Sequence, residues 1–473
     1  MAKVQFLPAV LALNVGVIVA LVLLTLVFGR VYCSVICPLG VFQDGISWLG
    51  TRRSKKPYLY KKENKWLRYG VWALFVVALV AGVQALVALL APYSAYGRMV
   101  QNLLQPVYLW GNNLLAHFAE RAGSYTFYQK EVWIRSIPTF VVAVVTLVVV
   151  VALSFKGGRT YCNSICPVGT TLSFLSRFAM FRPLIDHDKC KHCKACELHC
   201  KARCIAIGKD TEHIDHSRCV DCFNCIDNCK FGAMKYSFAY GKKADAPSPE
   251  PAKQTAPSSE TASDGTGRRA FITSSAIALA SAALHAQDKK TDGGLAAILP
   301  KKKIERETPI TPFGSESVKD FYRRCTACQL CVSACPNNVL RPSSDLNRLM
   351  QPEMSYEKGY CRPECVRCSE VCPTGAILRI TPEEKTRWKV GTASVDYSLC
   401  VAADRDVSCG NCANHCPAGA IMMVRKDPEE KDSVLIPSVA EERCIGCGAC
   451  ENLCPSRPVS AIKVNGFEVH HKD

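Results

Sequence analysis

The sequence predicts an α-helical transmembrane domain joined to small α+β domains that fold around bound metal clusters. Two observations lead to this fold class. Three long apolar stretches lie within the first 180 residues, and each is long enough to cross the hydrocarbon core of a bilayer. The 473 residues also include 29 cysteines, most of which recur at intervals of two or three residues. Because the two features occupy different parts of the chain, we expect separate domains.

The apolar stretches cover residues 7–28, 69–90 and 137–155. A cleaved signal peptide is the alternative for the first one, but its apolar region would be shorter. Seven Lys and Arg residues lie in the loop at 52–65, and the positive-inside rule places this loop in the cytoplasm. The segment that follows the third span is then cytoplasmic too. Three spans would leave Met1 outside, so we expect a further span upstream.

The first and third apolar stretches end in the same short motif, Tyr-Cys-x3-Cys-Pro-x-Gly, at residues 32–40 and 161–169. On a helix, cysteines four positions apart share a face. Two such motifs together can offer four thiolates to one metal or form two redox-active dithiols. The alternative is four reduced cysteines that pack at helix ends. The candidate redox thiols are Cys33, Cys37, Cys162 and Cys166.

Residues 190–229 contain the spacing Cys-x2-Cys-x2-Cys-x3-Cys twice. This is the run of bacterial ferredoxins, in which the fourth cysteine of each motif ligates the other motif's cluster. We therefore predict two [4Fe–4S] clusters in an α+β ferredoxin-like domain. Zinc sites separate their ligand pairs more widely, and disulfides suit small secreted domains. The predicted ligands are Cys190, Cys193, Cys196 and Cys229 for one cluster, and Cys219, Cys222, Cys225 and Cys200 for the other, with Cys204 as a competitor of Cys200.

Residues 241–303 form a linker rich in Ala, Pro, Ser and Thr, a composition typical of flexible segments. Within it, Arg268 and Arg269 precede an alanine-rich stretch. The segment 268–286 resembles a twin-arginine export signal, a pathway that carries folded proteins. An ordinary linker helix is the alternative. If the segment is not cleaved, it can serve as a fourth anchor.

Four more cysteine quartets lie in residues 304–473, two with the regular spacing and two irregular. They predict four further [4Fe–4S] clusters, about six in all. Pairing the first quartet with the last and the second with the third would match regular with regular spacing. Apolar runs at 375–378 and 419–422 predict strands. The ligands are predicted to be Cys325, Cys328, Cys331, Cys335, Cys361, Cys365, Cys368, Cys372, Cys400, Cys409, Cys412, Cys416, Cys444, Cys447, Cys450 and Cys454.

The formal net charge of +17 is poor evidence for nucleic-acid binding. Each cluster with four thiolates carries roughly −2, so six clusters would leave only about +5. No zinc-finger or helix-turn-helix pattern is present, and Cys-x2-Cys-His, the attachment motif of c-type haem, is absent. The predicted domains are a membrane domain at 1–180, a two-cluster domain at 181–240, the linker, and a four-cluster domain at 304–473.

These motifs carry a specific resemblance. Residues 1 to about 240 resemble NapH, the membrane iron–sulphur subunit of periplasmic nitrate reductase systems. Residues from 268 to the end resemble NapG, a twin-arginine-exported four-cluster ferredoxin, and both parts are similar to the MauN and MauM proteins of methylamine utilisation. The resemblance implies a multi-pass protein of the cell inner membrane with a periplasmic C-terminal domain. It also implies a component of a quinol dehydrogenase, which takes electrons from the membrane quinone pool and passes them to a cytochrome or terminal reductase subunit.

Two other functions remain open at this point. Cys-x3-Cys-Pro motifs beside ferredoxin domains also resemble accessory redox proteins that mature or maintain copper or iron–sulphur centres. Alternatively, the chain is a cytoplasmic polyferredoxin docked on the membrane, in which case the arginine pair at 268–269 has no role in export.

Overall fold

The computed structural model describes most of the chain. The predicted export segment 268–286 lies outside the described residues, and so does most of the linker. The chain forms two compact units, the larger one comprising 1–105, 134–241 and 301–473. The smaller unit comprises 106–133 and 242–300. The described residues are 2–54, 58–208, 212–240, 291–292, 296–297, 299–430 and 432–472.

Within the described part of the first 180 residues, every regular element is a helix, as the apolar stretches predict. Two wide π-helical turns, Tyr32–Ile36 and Val100–Leu104, and one 3₁₀ turn, Ala2–Val4, interrupt or precede the α-helices. The α-helices are α1 (Phe6–Leu11), α2 (Val15–Phe28), α3 (Pro38–Ser54), α4 (Lys65–Val80), α5 (Gln84–Leu90), α6 (Pro92–Met99), α7 (Gln105–Arg121), α8 (Ile137–Gly157), α9 (Thr160–Ser164) and α10 (Pro167–Ser176).

Helix α8 corresponds to the predicted span at 137–155. Among the described residues it is the one helix that is long and apolar enough to cross a membrane. The other two predicted spans are wrong as continuous helices. The stretch 7–28 breaks at Leu13, which has a φ of 51°, and α2 restarts because Asn14 accepts a hydrogen bond from the Val17 amide. The stretch 69–90 breaks at Gly82, whose φ is 76°.

A buried arginine of α6 forms hydrogen bonds to the end of α5, at the break between the two helices. The side chain of Arg98 is fully buried and donates to the carbonyl oxygens of Ala88 (2.6 Å) and Leu89 (3.3 Å). These are among the last carbonyls of α5, which have no partner within that helix. The guanidinium therefore stabilises the C-terminal end of α5 through hydrogen bonds and charge.

Residues 181–240 form an α+β domain around the cysteines. Strands β1 and β4 pair antiparallel, with Phe181 opposite Phe238 and Ile185 opposite Met234. Strands β2 and β3 form a second antiparallel pair. The elements are β1 (Phe181–Ile185), α11 (Ala195–Leu198), β2 (Ile205–Ile207), β3 (Glu212–Ile214), α12 (Asn224–Asp227) and β4 (Met234–Phe238).

The C-terminal region repeats this architecture on a larger scale, and its longest pair is β9 with β12. The strand predicted at 419–422 is present as part of β10. The one predicted at 375–378 is wrong, because the Leu378 amide bonds to the Gly314 carbonyl and not to a strand.

The linker elements are β5 (Thr291–Asp292) and β6 (Ala296–Ala297), and those that follow are α13 (Val318–Arg324), α14 (Leu330–Ala334), β7 (Leu340–Pro342), β8 (Pro352–Met354), α15 (Arg367–Val371), α16 (Pro382–Thr386), β9 (Trp388–Val395), α17 (Val401–Asp404), α18 (Asn411–Asn414), β10 (Ile421–Arg425), β11 (Leu435–Val439), α19 (Ala449–Leu453) and β12 (Ile462–Lys472), with 3₁₀ turns at Leu346–Arg348 and Glu441–Arg443.

We expect acid to weaken the C-terminal domain through His470. This ring is buried, its Nδ1 lies 2.6 Å from the Ser315 carbonyl, and burial lowers its pKa to about 4. The unfolded chain binds the proton near pH 6.5, so stability falls as the pH drops from about 6.5 towards 4. The full effect is on the order of 3 kcal/mol. His470→Gln should flatten the pH dependence of thermal cluster loss, whereas the exposed neighbour variant His471→Gln should not. Identical profiles for the wild type and His470→Gln would contradict this prediction.

Candidate metal centres

The two cysteine motifs of the N-terminal ferredoxin-like domain surround two separate cavities. Each cavity is lined by three cysteines of one motif and the fourth of the other, as the sequence predicts. We call the first cavity site 1 and the second site 2. Site 1 is lined by Cys190, Cys193, Cys196 and Cys229, and site 2 by Cys200, Cys219, Cys222 and Cys225.

Cys204 also lines site 2. It is fully buried, and its Sγ lies 3.6 Å from Cys200 Sγ. The hydrogen bond between the two thiols lowers the pKa of Cys200 and raises that of Cys204. The thiolate is the form that binds iron. This contact therefore favours Cys200 as the ligand and Cys204 as its hydrogen-bond donor.

A carboxylate lies beside site 1 that the sequence pattern does not indicate. Glu212 contacts His187 Nδ1 and accepts from His192 Nε2 at 2.7 Å. Ligand atoms of Cys190, His192 and Glu212 lie within 4.8 Å of one another. Since His192 and Cys190 belong to the same cysteine run, this group forms the rim of site 1.

The C-terminal cysteines group differently from the pairing suggested by their spacing. The first and second quartets exchange their fourth cysteines, and the third and last quartets do the same. The pairing of the first quartet with the last is therefore wrong. The helix of each motif packs on that of its neighbour in sequence, α14 on α15 and α18 on α19. We call the groups sites 3 to 6. They are Cys325, Cys328, Cys331 and Cys372 for site 3, Cys361, Cys365, Cys368 and Cys335 for site 4, Cys400, Cys409, Cys412 and Cys454 for site 5, and Cys444, Cys447, Cys450 and Cys416 for site 6.

The four C-terminal sites form a continuous series. Sites 3 and 4 exchange cysteines, and so do sites 5 and 6. The Cys361 amide of site 4 donates to the Cys447 carbonyl of site 6 at 3.0 Å. The order in space is therefore site 3, site 4, site 6 and site 5.

The four regularly spaced motifs share one backbone conformation. In each, the residues directly before and after the second cysteine have positive φ, between 49° and 77°. Only the last motif has glycine at both positions. Left-handed residues turn successive amides towards one side of the loop, which is a common way to surround an anionic group. The residue pairs are His192 and Lys194, Asp221 and Phe223, Ala327 and Gln329, and Gly446 and Gly448.

Burial raises the pKa of several cysteines at these sites. It raises the pKa of Cys222 and Cys328 to about 11 and that of Cys447 to about 12. A thiol must lose its proton before it can bind iron, so loading these sites releases protons and is favoured at higher pH.

A buried lysine supports site 4. The side chain of Lys385 is 1% exposed, and its Nζ donates to Cys361 Sγ at 3.2 Å and to the Arg362 and Cys365 carbonyls at 2.6 Å. Its charge lies next to the predicted anionic cluster. The sequence offers no signal for this residue, because it sits 13 residues after Cys372 on α16.

We predict that Lys385→Met lowers the midpoint potential of one cluster. The reduced cluster is the more negative form, so loss of an adjacent cation and hydrogen bond destabilises it. Two carbonyls also lose their partner, at a cost of about 1–3 kcal/mol each. An EPR-monitored redox titration measures the change. Lys426→Met is the control because Lys426 is exposed and paired with Asp406. If all midpoints stay in place, Lys385 has no role at site 4.

The two Cys-x3-Cys-Pro motifs come together between these domains. We call their four cysteines, Cys33, Cys37, Cys162 and Cys166, the central site. All four are buried, at 4–5% exposure. Each motif makes a tight turn, in which the amide of the second cysteine donates to the carbonyl of the preceding tyrosine. The following proline then begins a helix, α3 or α10, as proline favours at the first helical position.

Two arginine side chains form hydrogen bonds from one motif to the other. Arg159 Nη1 donates to the Cys33 carbonyl at 2.6 Å, and Arg159 also binds the Asp44 carboxylate with two hydrogen bonds, of 2.8 and 2.7 Å. Arg30 Nη1 donates to Asn163 Oδ1 at 3.0 Å. Each arginine belongs to one motif and contacts the other, so the site has approximate two-fold symmetry. The shared Gly-Arg-x-Tyr sequence before each motif is the signal that would have indicated them.

The glycine at the end of each motif is required because a cysteine carbonyl and an arginine of these contacts approach it closely. A Cβ at Gly40 would overlap the Cys33 carbonyl and the Arg159 guanidinium. At Gly169 it would overlap the Cys162 carbonyl and come within 2.9 Å of Arg30 Nη2. Close approach of the backbone thus explains why both motifs end in glycine.

Comparison with known proteins agrees with these sites. A family described as "4Fe-4S binding domain" matches residues 10–57 and 139–185, and one described as "4Fe-4S dicluster domain" matches 324–376 and 407–457. The chain is therefore an iron–sulphur electron-transfer protein of the ferredoxin type that binds [4Fe–4S] clusters. The first family covers both halves of the central site.

The relatives specify the class further. An uncharacterised protein of Methanocaldococcus jannaschii is 27% identical over 48% of this chain and 80% of its own length. The methylamine utilisation ferredoxin-type protein MauN of Paracoccus denitrificans is 28% identical over 37% of this chain and 49% of its length. Ferredoxin-type protein NapF of Escherichia coli K12 is 26% identical over 23% of this chain and 63% of its length. The chain is thus related to the Nap- and Mau-type iron–sulphur proteins, although it covers less than two thirds of the latter two.

Proposed function

We propose that this chain is an inner-membrane electron carrier that oxidises quinol and delivers the electrons outward to a protein acceptor. When bound, the [4Fe–4S] clusters would accept the two electrons of a quinol one at a time, and its two protons would be released to solvent. About six clusters, at sites 1 to 6, would carry the electrons. The acceptor would be a cytochrome or a terminal reductase subunit.

The observation that carries this proposal is the position of the two ferredoxin-like domains on α8. At the N-terminal end of α8, Arg135 donates to the Val332 carbonyl and to Asn338 Oδ1. Just beyond its C-terminal end, the Arg159 amide donates to the Lys201 carbonyl at 2.9 Å. A helix of 21 residues is about 31 Å long, which is close to the thickness of the hydrocarbon core. This arrangement supports placing the two domains on opposite faces of a membrane.

The surface of the helices supports a membrane environment. Only 22% of the most apolar part of α8 is buried, and this exposure supports a helix that faces lipid. Large apolar side chains are exposed on each of α2, α4 and α8, as expected for helices that face lipid. The exposed side chains include Val19, Leu23, Leu74, Val77, Val80, Val141, Val145 and Val148.

The series of C-terminal sites supports delivery away from the helices. Site 3 lies against α6, where a Cβ on Gly97 would overlap the Cys328 carbonyl. Site 5 lies at the other end of the series, and Tyr397 and Val407 beside it are exposed. An acceptor that docks at site 5 would receive electrons that enter at site 3.

Protease accessibility tests the orientation. In intact spheroplasts, protease should digest the region after residue 303 of the wild type, because export places it outside. An Arg268→Lys, Arg269→Lys variant should be protected, and an Arg323→Lys, Arg324→Lys variant is the control for loss of a basic pair. Protection of the wild type would overturn outward delivery and leave a cytoplasmic relay. Normal orientation with no reduction by quinol would instead favour a role in metal-centre maintenance.

A further inference from the structure

We propose that Cys204 is a second, interchangeable fourth ligand at site 2, which binds iron in place of Cys200. Cys204 thus does more than donate a hydrogen bond to Cys200. The exchange requires a cluster at site 2, but it does not depend on quinol as the source of electrons.

Cys204 occupies a position at which no other motif of this chain has a cysteine. It follows Cys200, the fourth cysteine of its motif, by four residues. In the other five ferredoxin-type motifs, the residue four positions after the fourth cysteine is alanine, valine or proline. These residues are Ala233, Val339, Ala376, Ala420 and Pro458. Packing at this position therefore does not require sulphur.

Ala233 is the counterpart of Cys204 at site 1. Cys204 is 1% exposed and Ala233 is 3% exposed, and each lines the cavity of its own site. The two positions are thus equivalent in the doubled motif. Site 2 has five lining cysteines, whereas site 1 has four.

The Cys204 sulphur contacts two of the predicted ligands of site 2. Its Sγ lies 3.6 Å from Cys200 Sγ, and it forms a second hydrogen bond with the thiol of Cys219. Because the sulphur atoms of Cys200 and Cys204 are in contact, we expect rotation of the two side chains between rotamers to exchange them.

The exchange is balanced in protons and charge. The bond from iron to Cys200 Sγ breaks, and a bond from the same iron to Cys204 Sγ forms. The proton of the Cys204 thiol passes to Cys200 along the contact that already joins the two sulphur atoms. Four thiolates bind iron before and after the exchange, so no oxidant or reductant is needed.

The two ligands differ in their hydrogen-bond donors. Cys200 Sγ accepts from the backbone amides of Ala202, Cys204 and Ile205, whereas the hydrogen bonds of Cys204 Sγ are with Cys200 and Cys219. Hydrogen bonds to the ligand sulphur tune the reduction potential of a cluster. Since amide donors favour the more negative, reduced form, ligation by Cys204 should lower the midpoint potential of site 2.

Site 2 adjoins the helical region through Asp221. Cys219 Sγ lies 3.5 Å from one carboxylate oxygen of Asp221, and the other oxygen accepts from the Arg30 amide at 2.7 Å. A change of ligand at site 2 would therefore alter the potential at the boundary between the ferredoxin-like domain and the helices.

Iron and sulphide analysis of the purified full chain tests the exchange. Cys200→Ala should keep the wild-type iron content, because Cys204 replaces the missing ligand. Cys200→Ala with Cys204→Ala should lose about four iron atoms and about four sulphides. Equal iron content in the single and the double variant would overturn the proposal.

The matched control is Cys229→Ala, which removes the equivalent ligand of site 1. Its counterpart of Cys204 is Ala233, so this variant should lose about four iron atoms by itself. Full iron content in Cys229→Ala would overturn the proposal as well, because a site would then keep its iron without a fifth thiol.

A rescue experiment keeps the test valid if Cys200→Ala fails to fold. Ala233→Cys, added to Cys229→Ala, introduces a thiol at the position equivalent to Cys204. The rescued variant should regain about four iron atoms. No gain of iron would show that a thiol at this position does not serve as a ligand, and would overturn the proposal.

An EPR-monitored titration with dithionite gives a second readout. In Cys200→Ala one midpoint should fall while the others stay, and unchanged midpoints would contradict ligation by Cys204. Quinol takes no part in these experiments. Clusters that dithionite reduces and quinol does not would therefore reject the proposed function and leave the role of Cys204 standing.

Discussion

Gly448→Ala should disrupt sites 5 and 6 and cost the C-terminal domain about 2–5 kcal/mol. Gly448 has a φ of 77°, and a Cβ there would overlap the ring of Tyr356. That ring is 1% exposed, and its hydroxyl donates to the Gly446 carbonyl at 2.5 Å. The ring cannot withdraw without losing this bond. The cost should appear as lower iron content and as cluster bleaching at a lower temperature.

Gly375→Ala provides the matched control for this prediction. Gly375 also has a positive φ, of 70°, but open space surrounds its Cβ position. Only the backbone cost of about 1–2 kcal/mol should remain. Equal effects of the two substitutions would show that the Tyr356 contact does not matter.

Arg159→Leu should be the most damaging single change in the helical region. It removes a bidentate pair with Asp44 and the donor to the Cys33 carbonyl. Breaking a buried pair typically costs about 3–5 kcal/mol. Asp44 is 23% exposed and keeps Lys201 Nζ at 3.8 Å, so we expect a loss near the lower end of this range. Thermal cluster loss in detergent and the iron content of the purified protein measure the effect.

The chain offers an exposed pair of the same geometry as a control. Arg348 binds Asp345 with hydrogen bonds of 3.0 and 2.6 Å, but both side chains are partly exposed. Exposed pairs contribute about 0–1 kcal/mol, so Arg348→Leu should have little effect. Additional substitution of Asp44 by Asn should restore part of the stability lost in Arg159→Leu. If Arg159→Leu behaves like Arg348→Leu, the buried pair does not hold the central site together.

The doubled motif predicts that each site takes its fourth cysteine from the other motif, and the structure groups the cysteines around two cavities in this way. Their role as cluster ligands stays a prediction. It does not predict the pairing in the C-terminal domain. The helices of neighbouring motifs pack together there, and regular spacing in two distant motifs carries no information about contact. The irregular motif beginning at Cys361 pairs with the regular one that precedes it, so position in the chain matters more than spacing.

Besides the pairing of the C-terminal motifs, the backbone conformation around the cysteines cannot be predicted from the sequence. Phe223 and Gln329 adopt positive φ at the positions where the last motif has Gly448. These residues adopt positive φ against their intrinsic backbone preference, because four cysteines that meet around one cavity impose the turn. The broken spans have a similar origin. Hydropathy identifies the apolar run at 69–90. Gly82 determines where α4 is interrupted, and the buried guanidinium of Arg98 stabilises the end of α5.

The most direct test of the proposed function is the reduction of the clusters by quinol. The full chain would be placed in nanodiscs, mixed anaerobically with a short-chain quinol, and followed by rapid-freeze EPR. We predict that clusters in both ferredoxin-like domains become reduced, and that an added acceptor protein reoxidises them. If dithionite reduces every cluster while quinol reduces none, the chain is not a quinol-oxidising electron carrier.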